Sequence, residues 1–380
     1  MHLLKPAAVL GLSVLLAACG GAAAPASSAP SSTATSAKPA TAASTSAAAS
    51  PAASTSAKPA ASGSAAASSA AKPAASGLIK LVADYPNISG SNIPLYVTVE
   101  GGYFQKNGLD VDLQFINGAA KASAALLANQ VQICHCGGTE AVNANAEGAD
   151  LVVTGTLTPV YPYEFEVAPS IKTFNDLKGK PIGISSIGGA VDVVTRLVLR
   201  KNGLDPDKDV ILVPDNGSTF RINAALGGAT VAAMADPPGL LQLEAKGFHV
   251  LANPAADKLP TANSAVVVER GWLKDHGDVV QRYIDALIQG TARAKNDQPF
   301  ALAAMKKYFK SDDEHAMQVT WDFFTKDVET LNPVSTPDQY TDIINELSKK
   351  NAKIKDMDVK SFLDNTFVQK AEQQGVAKNF

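Results

Sequence analysis

Asn107-Gly108-Leu109-Asp110 returns 95 positions later as Asn202-Gly203-Leu204-Asp205, and Ala125-Leu126, ahead of Val131, return 100 positions later as Ala225-Leu226 ahead of Val231. A chain that repeats itself at this spacing places one supersecondary pattern twice. In the first copy Ile79–Ala83, Val111–Ile116, Val131–Cys136 and Leu151–Thr156 read as strands, with helices at Ala119–Ala128 and Thr139–Glu147. The second reads strand Pro181–Ser185, helix Ala190–Lys201, strand Val210–Val213, helix Thr219–Leu226, strand Val231–Ala235, helix Gly239–Lys246 and strand His249–Leu251. Such alternation implies a parallel sheet covered by helices, an α/β fold built twice. At the same offset Cys136-Gly137-Gly138 falls on Asp236-Pro237-Pro238. Both lie where a strand's carboxyl end meets a helix, which is where open α/β sheets bind ligands. The plainer alternative is two pieces alike only because they pack alike.

The repeat occupies only part of the 380 residues. Met1 to Gly77 holds no Asp, Glu or Arg and four of the 33 basic residues (Lys5, Lys38, Lys58, Lys72), so the remainder carries 29 bases against 36 acids. A mildly acidic body of this size is an ordinary globular one, and the balance excludes nucleic-acid binding by charge. Residues 1–19 have one early cation, Lys5, and an uncharged run from Pro6 to Ala18, too short to span a hydrocarbon core that needs ~20 residues. They read as an export signal. The ending Leu16-Ala17-Ala18-Cys19-Gly20 resembles the lipobox of bacterial lipoproteins, which implies lipidation of Cys19 and anchoring to a cell membrane on its extracytoplasmic face, the periplasm if there are two membranes. A soluble secreted protein with an incidental Cys19 is the alternative. Residues 20–77 are almost wholly Ala, Ser, Thr, Pro and Gly, with Ala-Lys-Pro-Ala at 37–40, 57–60 and 71–74. They lack the large apolar side chains that offset ordering entropy and read as a disordered tether spanning roughly 40 Å as a coil, or as a glycosylated stalk.

From Gly271 onward the pattern is helical. Val279, Val280, Tyr283, Ile284, Leu287 and Ile288 make an apolar face opposite Asp278, Arg282, Asp285 and Arg293. Ser311-Asp312-Asp313-Glu314 and Thr336-Pro337-Asp338-Gln339 each match a capping box. These helices buttress a lobe and are assigned no chemistry.

The stretch Ile93 to Val111, containing Glu100-Gly101-Gly102-Tyr103-Phe104, together with Asp176-Leu177-Lys178-Gly179-Lys180-Pro181-Ile182-Gly183 and the helix start at Arg221, resembles the substrate-binding proteins of ABC importers in the aliphatic sulfonate, nitrate and thiamine-pyrimidine-precursor (NMT1/THI5-like) group. The resemblance spans roughly Leu78 to Leu331. It implies a type II periplasmic-binding-protein fold: two α/β lobes joined by two hinge crossovers, with extra C-terminal helices and a ligand between the lobes. On that basis 78–164 and 265–380 form lobe 1, 165–264 form lobe 2, and the crossovers fall near Tyr163–Ala168 and Ser264–Glu269. An ABC permease is the implied partner of a monomer, and no cofactor or metal is implied.

Within such a cleft, Ser185-Ser186-Ile187-Gly188-Gly189-Ala190 follows a strand and opens a helix, offering hydroxyls and free backbone N–H groups to a polar or negative ligand. It is neither a P-loop nor a GxGxxG fingerprint, and a tight strand-to-helix turn explains the glycines equally well. Gly138, Thr139 and Glu140 open a helix in the other lobe, with Thr139 as a possible cap and Glu140 complementing the dipole. Asn87, Ser89, Asn92 and Ser218 add hydrogen-bonding groups. Tyr161 and Tyr163 either stack on a heteroaromatic ligand or pack in the hinge. Asp236 calls for a donor or cation, and a strongly anionic solute would need Arg221 beside it. The mixture favours a small polar organic solute over a bare inorganic anion, and the resemblance implies a sulfonate-like or pyrimidine-like one.

Cys134-His135-Cys136 resists a metal reading. On a strand the cysteines share one face and His135 takes the other, so the three do not converge on one ion. Two buried, unpaired thiols are expected, with His135 either a ligand contact or a core residue. No Ser/His/Asp or paired-carboxylate constellation stands out, so a binding function is expected over an enzyme. An enzyme on the same fold, of the thiamine-pyrimidine synthase kind, and a surface sensor or interaction lipoprotein are the rivals.

Overall fold

The computed structural model describes residues 77–379 apart from Asn216; the export signal, Cys19 and the tether up to Ser76 lie outside the described residues. Two five-stranded sheets are present. Strands β1 (Ile79–Tyr85), β2 (Leu109–Phe115), β3 (Ile133–Cys134) and β4 (Leu151–Val160) build the first, and β5 (Glu164–Val167), β6 (Pro181–Ile184), β7 (Ile211–Pro214), β8 (Ala232–Ala235) and β9 (His249–Ala252) the second; β10 (Pro260–Glu269) returns to the first. The orders are β2-β1-β3-β10-β4 and β7-β6-β8-β5-β9. Position for position these are the same arrangement, so the repeat in sequence is a repeat in topology.

Neither sheet is purely parallel, which corrects the sequence expectation. β1 runs parallel to β2 and β3, and β6 to β7 and β8, but β10 lies antiparallel to β3 and β4, and β5 antiparallel to β8 and β9. The reversed strand in each lobe is the one that has just arrived from the other. The crossovers are Tyr161–Tyr163 and residues 253–259, earlier than expected. The apolar runs assigned to them, Tyr163–Ala168 and Ser264–Glu269, supply β5 and half of β10. Their lack of a helical period reflects pairing in a ladder, Val266 with Gly155 and Glu269 with Leu151.

Helices α1 (Ile93–Glu100), α2 (Tyr103–Lys106), α3 (Ala119–Leu127) and α4 (Gly138–Ala146) cover the first sheet, and α5 (Ala190–Lys201), α6 (Ser218–Leu226) and α7 (Gly239–Glu244) the second. In the tail, α8 (Arg270–Asn296) buries Val279, Val280, Tyr283, Ile284, Leu287 and Ile288, the face its periodicity marked. Gly290 lets α8 approach α1: a Cβ there would lie 1.9 Å from Thr98 Oγ1. The following helices are α9 (Gln298–Phe309), α10 (Glu314–Asp322), α11 (Thr341–Leu347) and α12 (Thr366–Gln373). Thr336 and Gln339 form the expected reciprocal capping box. At α10 the cap is Asp313, not Ser311, because the helix starts at Glu314 and the Asp313 side chain accepts from the Ala316 N–H.

Each sheet buries a carboxyl group. Asp84 in β1 and Glu166 in β5 are fully buried, and among the described residues neither carboxyl group has a hydrogen-bond partner. Burial pushes each up to about 7. A carboxyl whose folded value is raised stabilises fully below its unfolded value near 4, and that stability is lost as pH rises through 7. Thermal unfolding across pH should therefore show a lower Tm at pH 8 than at pH 5, by at least about 2 °C at ~1.4 kcal/mol per pKa unit. Asp84→Asn should flatten that slope.

Candidate functional site

The carboxyl ends of β1, β2 and β3 face those of β6, β7 and β8 across a space of about 800 Å³, its open mouth included. Three helices begin on it behind glycine N-caps, Gly118 before α3, Gly189 before α5 and Gly217 before α6, while Gly137 before α4 is buried and α4 reaches the space through Glu140. Among the described residues none of the three ends has a side-chain cap. Ser, Thr, Asp or Asn normally occupies this position and accepts from the first free N–H groups. Glycine leaves those donors, and the positive end of the helix dipole, open to the cleft. Gly118 and Gly217 are 99 positions apart and both have positive φ, 98° and 153°, values that side chains rarely adopt.

Arg221, in the first turn of α6, is 1% exposed and lines the cleft. Its Nε donates to the Met234 carbonyl at 2.7 Å and its Nη1 to Ser185 Oγ at 2.6 Å. Among the described residues it enters no ion pair. Lys121 stands at the other wall. Two buried carboxyls oppose these cations. Burial lifts Glu140 to about 7, and lifts Asp236 to about 6 against the pull of the Ser89 hydrogen bond and the Arg221 charge.

The lobes touch directly. Ser89 Oγ donates to Asp236 Oδ2 at 2.5 Å, and Asn143 Nδ2 donates to the Gly188 carbonyl at 2.9 Å. Gly217 sits so close to Asn117 that a Cβ would lie 3.0 Å from its Oδ1.

Of the residues singled out in sequence, Asn87, Glu140, Tyr163, Ser185, Ser186, Gly189, Ala190, Ser218, Arg221 and Asp236 line this space. The others stand behind it. Asn92 Nδ2 braces Asn87 through its carbonyl and Oδ1, at 2.9 and 2.8 Å. Ser89 reaches Asp236 rather than the space itself. Gly138 packs against Tyr340 and Ala262. Gly188 donates its N–H to Asp192 Oδ2 at 2.8 Å. Thr139 is buried inside α4 and does not cap it, because the helix begins one residue earlier behind Gly137. Tyr161 is fully buried. His135 points to the far face of the sheet, where its Nε2 lies 2.8 Å from Tyr283 Oη and burial lowers its pKa to about 3.

Cys134 and Cys136 form a disulfide with Cα atoms 5.3 Å apart, correcting the expectation of free thiols. The shared face was foreseen, but β3 ends at Cys134, so Cys136 is released from extended geometry and its sulfur reaches its neighbour's. Sequence reasoning also missed Asn117, the α3 start at Gly118, Ala119, Ala120 and Lys121, and Asn263 of β10. The α3 start was legible: it is the 99-residue counterpart of the α6 start. Asn263 was not, since its strand comes from the far end of the chain.

Two lobes on antiparallel crossovers, with a cleft at the strand ends, define a periplasmic-binding-protein fold. The NMT1/THI5-like family model matches residues 90–301, and the chain belongs to that family. It is 26% identical over 239 residues to YtlA of Bacillus subtilis (strain 168), described as a binding protein, covering 61% of this chain and 72% of that one. The alkanesulfonate-binding protein SsuA from Xanthomonas axonopodis pv. citri, bound to MOPS, superposes with a TM-score of 0.62 at 17% identity, covering 78% and 99% of the two chains. The desulfurization enzyme DSZB superposes at 0.57 with 14% identity, covering 78% and 99%. At these identities the structural likenesses show the fold alone.

Cleft and buried positions should separate in solution. Ser186→Ala and Asp236→Ala should weaken binding of a copurifying solute by about 0.5–3 kcal/mol in calorimetry. Thr139→Ala, behind the wall, should lower Tm and leave affinity unchanged.

Proposed function

We propose that this chain is the solute-capturing component of an ABC importer, an extracytoplasmic protein anchored through lipid on Cys19 and carried on the tether of residues 20–77. Its two lobes close on a small organic solute and present it to a permease. The observation that carries this reading is the convergence of three glycine-capped helix ends with Arg221 on one interlobe space. Uncapped N–H groups and a guanidinium outside any ion pair suit an acidic group, sulfonate or carboxylate, bound between α5 and α6. Glu140, across the cleft, suits a hydrogen-bond donor on the same solute, and Tyr163 gives a flat apolar surface beside it. A solute bridging both lobes favours the closed arrangement because it gains contacts only there.

A binding role also agrees with the description of YtlA and with SsuA, while DSZB marks the enzymatic alternative on this fold. Among the described residues no helix is long and apolar enough to cross a membrane, so attachment in this reading depends on Cys19. Native mass spectrometry of the purified protein should reveal one bound small organic acid, released unchanged on denaturation. Recovery of a chemically altered product after incubation with that acid would establish the enzyme instead. Cys19→Ser should give unprocessed or soluble protein without acyl label, and persistent acylation would remove the lipid anchor.

A further inference from the structure

The Cys134–Cys136 bridge plays no part in the reading above. Cys134 closes β3, is fully buried, and pairs in the sheet with Asp84 of β1 and Val267 of β10. Cys136 lies past the strand end, is 6% exposed and lines the cleft. Next come Gly137, the N-cap of α4, and Glu140 on the same cleft wall. The bond therefore ties the last residue of the sheet to the corner from which α4 departs, and only one of its two cysteines borders the ligand space. Lys121, Arg221 and the starts of α3, α5 and α6 give that space a positive bias, opposed by Glu140 and Asp236.

We propose that Cys134–Cys136 is a thiol–disulfide exchange site, opened from the cleft by small anionic thiols. A thiolate attacks Cys136 Sγ and forms a mixed disulfide; the Cys134–Cys136 bond breaks, and its electron pair leaves on Cys134, which then takes a proton from water. A second thiolate attacks the sulfur carried on Cys136, releasing the oxidised small-molecule disulfide and a Cys136 thiolate that is protonated in turn. Two thiols are oxidised and the protein gains two hydrogens. Cys136 is the attacked sulfur because it is the cysteine that borders the space, and the reagent class follows from the charge of the walls. Opening the bond frees the corner at Gly137, so the same step loosens the start of α4 that carries Glu140. The inference uses the cleft as a route of access and does not depend on which solute is imported.

The full chain is tested without a transported solute. Alkylation before any reductant should find no free thiol at Cys134 or Cys136. The protein is then exposed at low salt to 2-mercaptoethanesulfonate or 2-mercaptoethylamine, matched for thiolate concentration, and peptide masses locate the adduct and separate it from Cys19. The expected result is a mixed disulfide on Cys136, formed about tenfold faster by the anionic thiol. Lys121→Gln, an exposed substitution, should reduce that preference several-fold, and amide hydrogen exchange at residues 136–140 should quicken once the bond opens. Free thiols at both positions in untreated protein would overturn the proposal. So would an adduct on Cys134 or none on either cysteine, equal rates for the two thiols, a preference unchanged in Lys121→Gln, or exchange at 136–140 unaffected by opening.

Discussion

A helix begins with N–H groups that nothing inside it accepts. This protein aims three such beginnings at one space and, among the described residues, gives none of them a capping side chain. The arrangement is unfavourable in isolation, since like ends of three dipoles approach one another and Arg221 adds a full charge to them. Glu140 and Asp236 offset part of it, and burial raises them to about 7 and about 6. The molecule thus holds unspent hydrogen-bonding capacity where a capped structure would be more stable. Stability given up at the place where a partner docks is the usual mark of a binding site.

The duplicated lobe explains how so small a motif assembles this space. The α3 start in one lobe and its counterpart, the α6 start in the other, bring two glycine-capped helix ends to the same space, and α5 adds a third that has no glycine-capped counterpart. Each lobe also supplies one buried carboxyl, Glu140 at α4 and Asp236 just after β8, so the walls are alike in kind. They differ in the cation each helix start carries. Arg221 follows Gly217 in the second lobe, while the equivalent turn of the first carries Lys121, which is exposed.

The elements were legible where periodicity and turn chemistry agreed. Helix α5 falls on Ala190–Lys201 as read, and the buried face of α8 is the one its spacing marked. The direction of β5 and β10 was not legible, because a short apolar run reads the same in either sense and only the lobe crossing fixes it. Within the site, residues beside glycine turns were found and residues one step deeper were misplaced. Thr139 and Gly138 miss the cleft because one residue of helix is 100° of rotation. For His135, strand alternation gave two faces and could not say which one met the core. The disulfide was missed because strand geometry was carried two residues beyond the end of β3.

The two crossovers differ in length, three residues against seven, yet they are stitched together. The Tyr161 N–H donates to the Leu259 carbonyl at 2.9 Å, and the Ala255 N–H donates to the Tyr163 carbonyl at 3.1 Å. Beyond them, β4 and β10 continue as a long antiparallel ladder inside the first lobe. A hydrogen-bonded ribbon flexes readily out of its own plane and resists sliding one edge past the other, since sliding breaks every rung. The lobes are therefore joined by something closer to a leaf spring than to two loose cords, and the extra residues of the longer link are folded away rather than kept as slack. Hinge bending of this ribbon is the motion its pairing leaves open to the lobes.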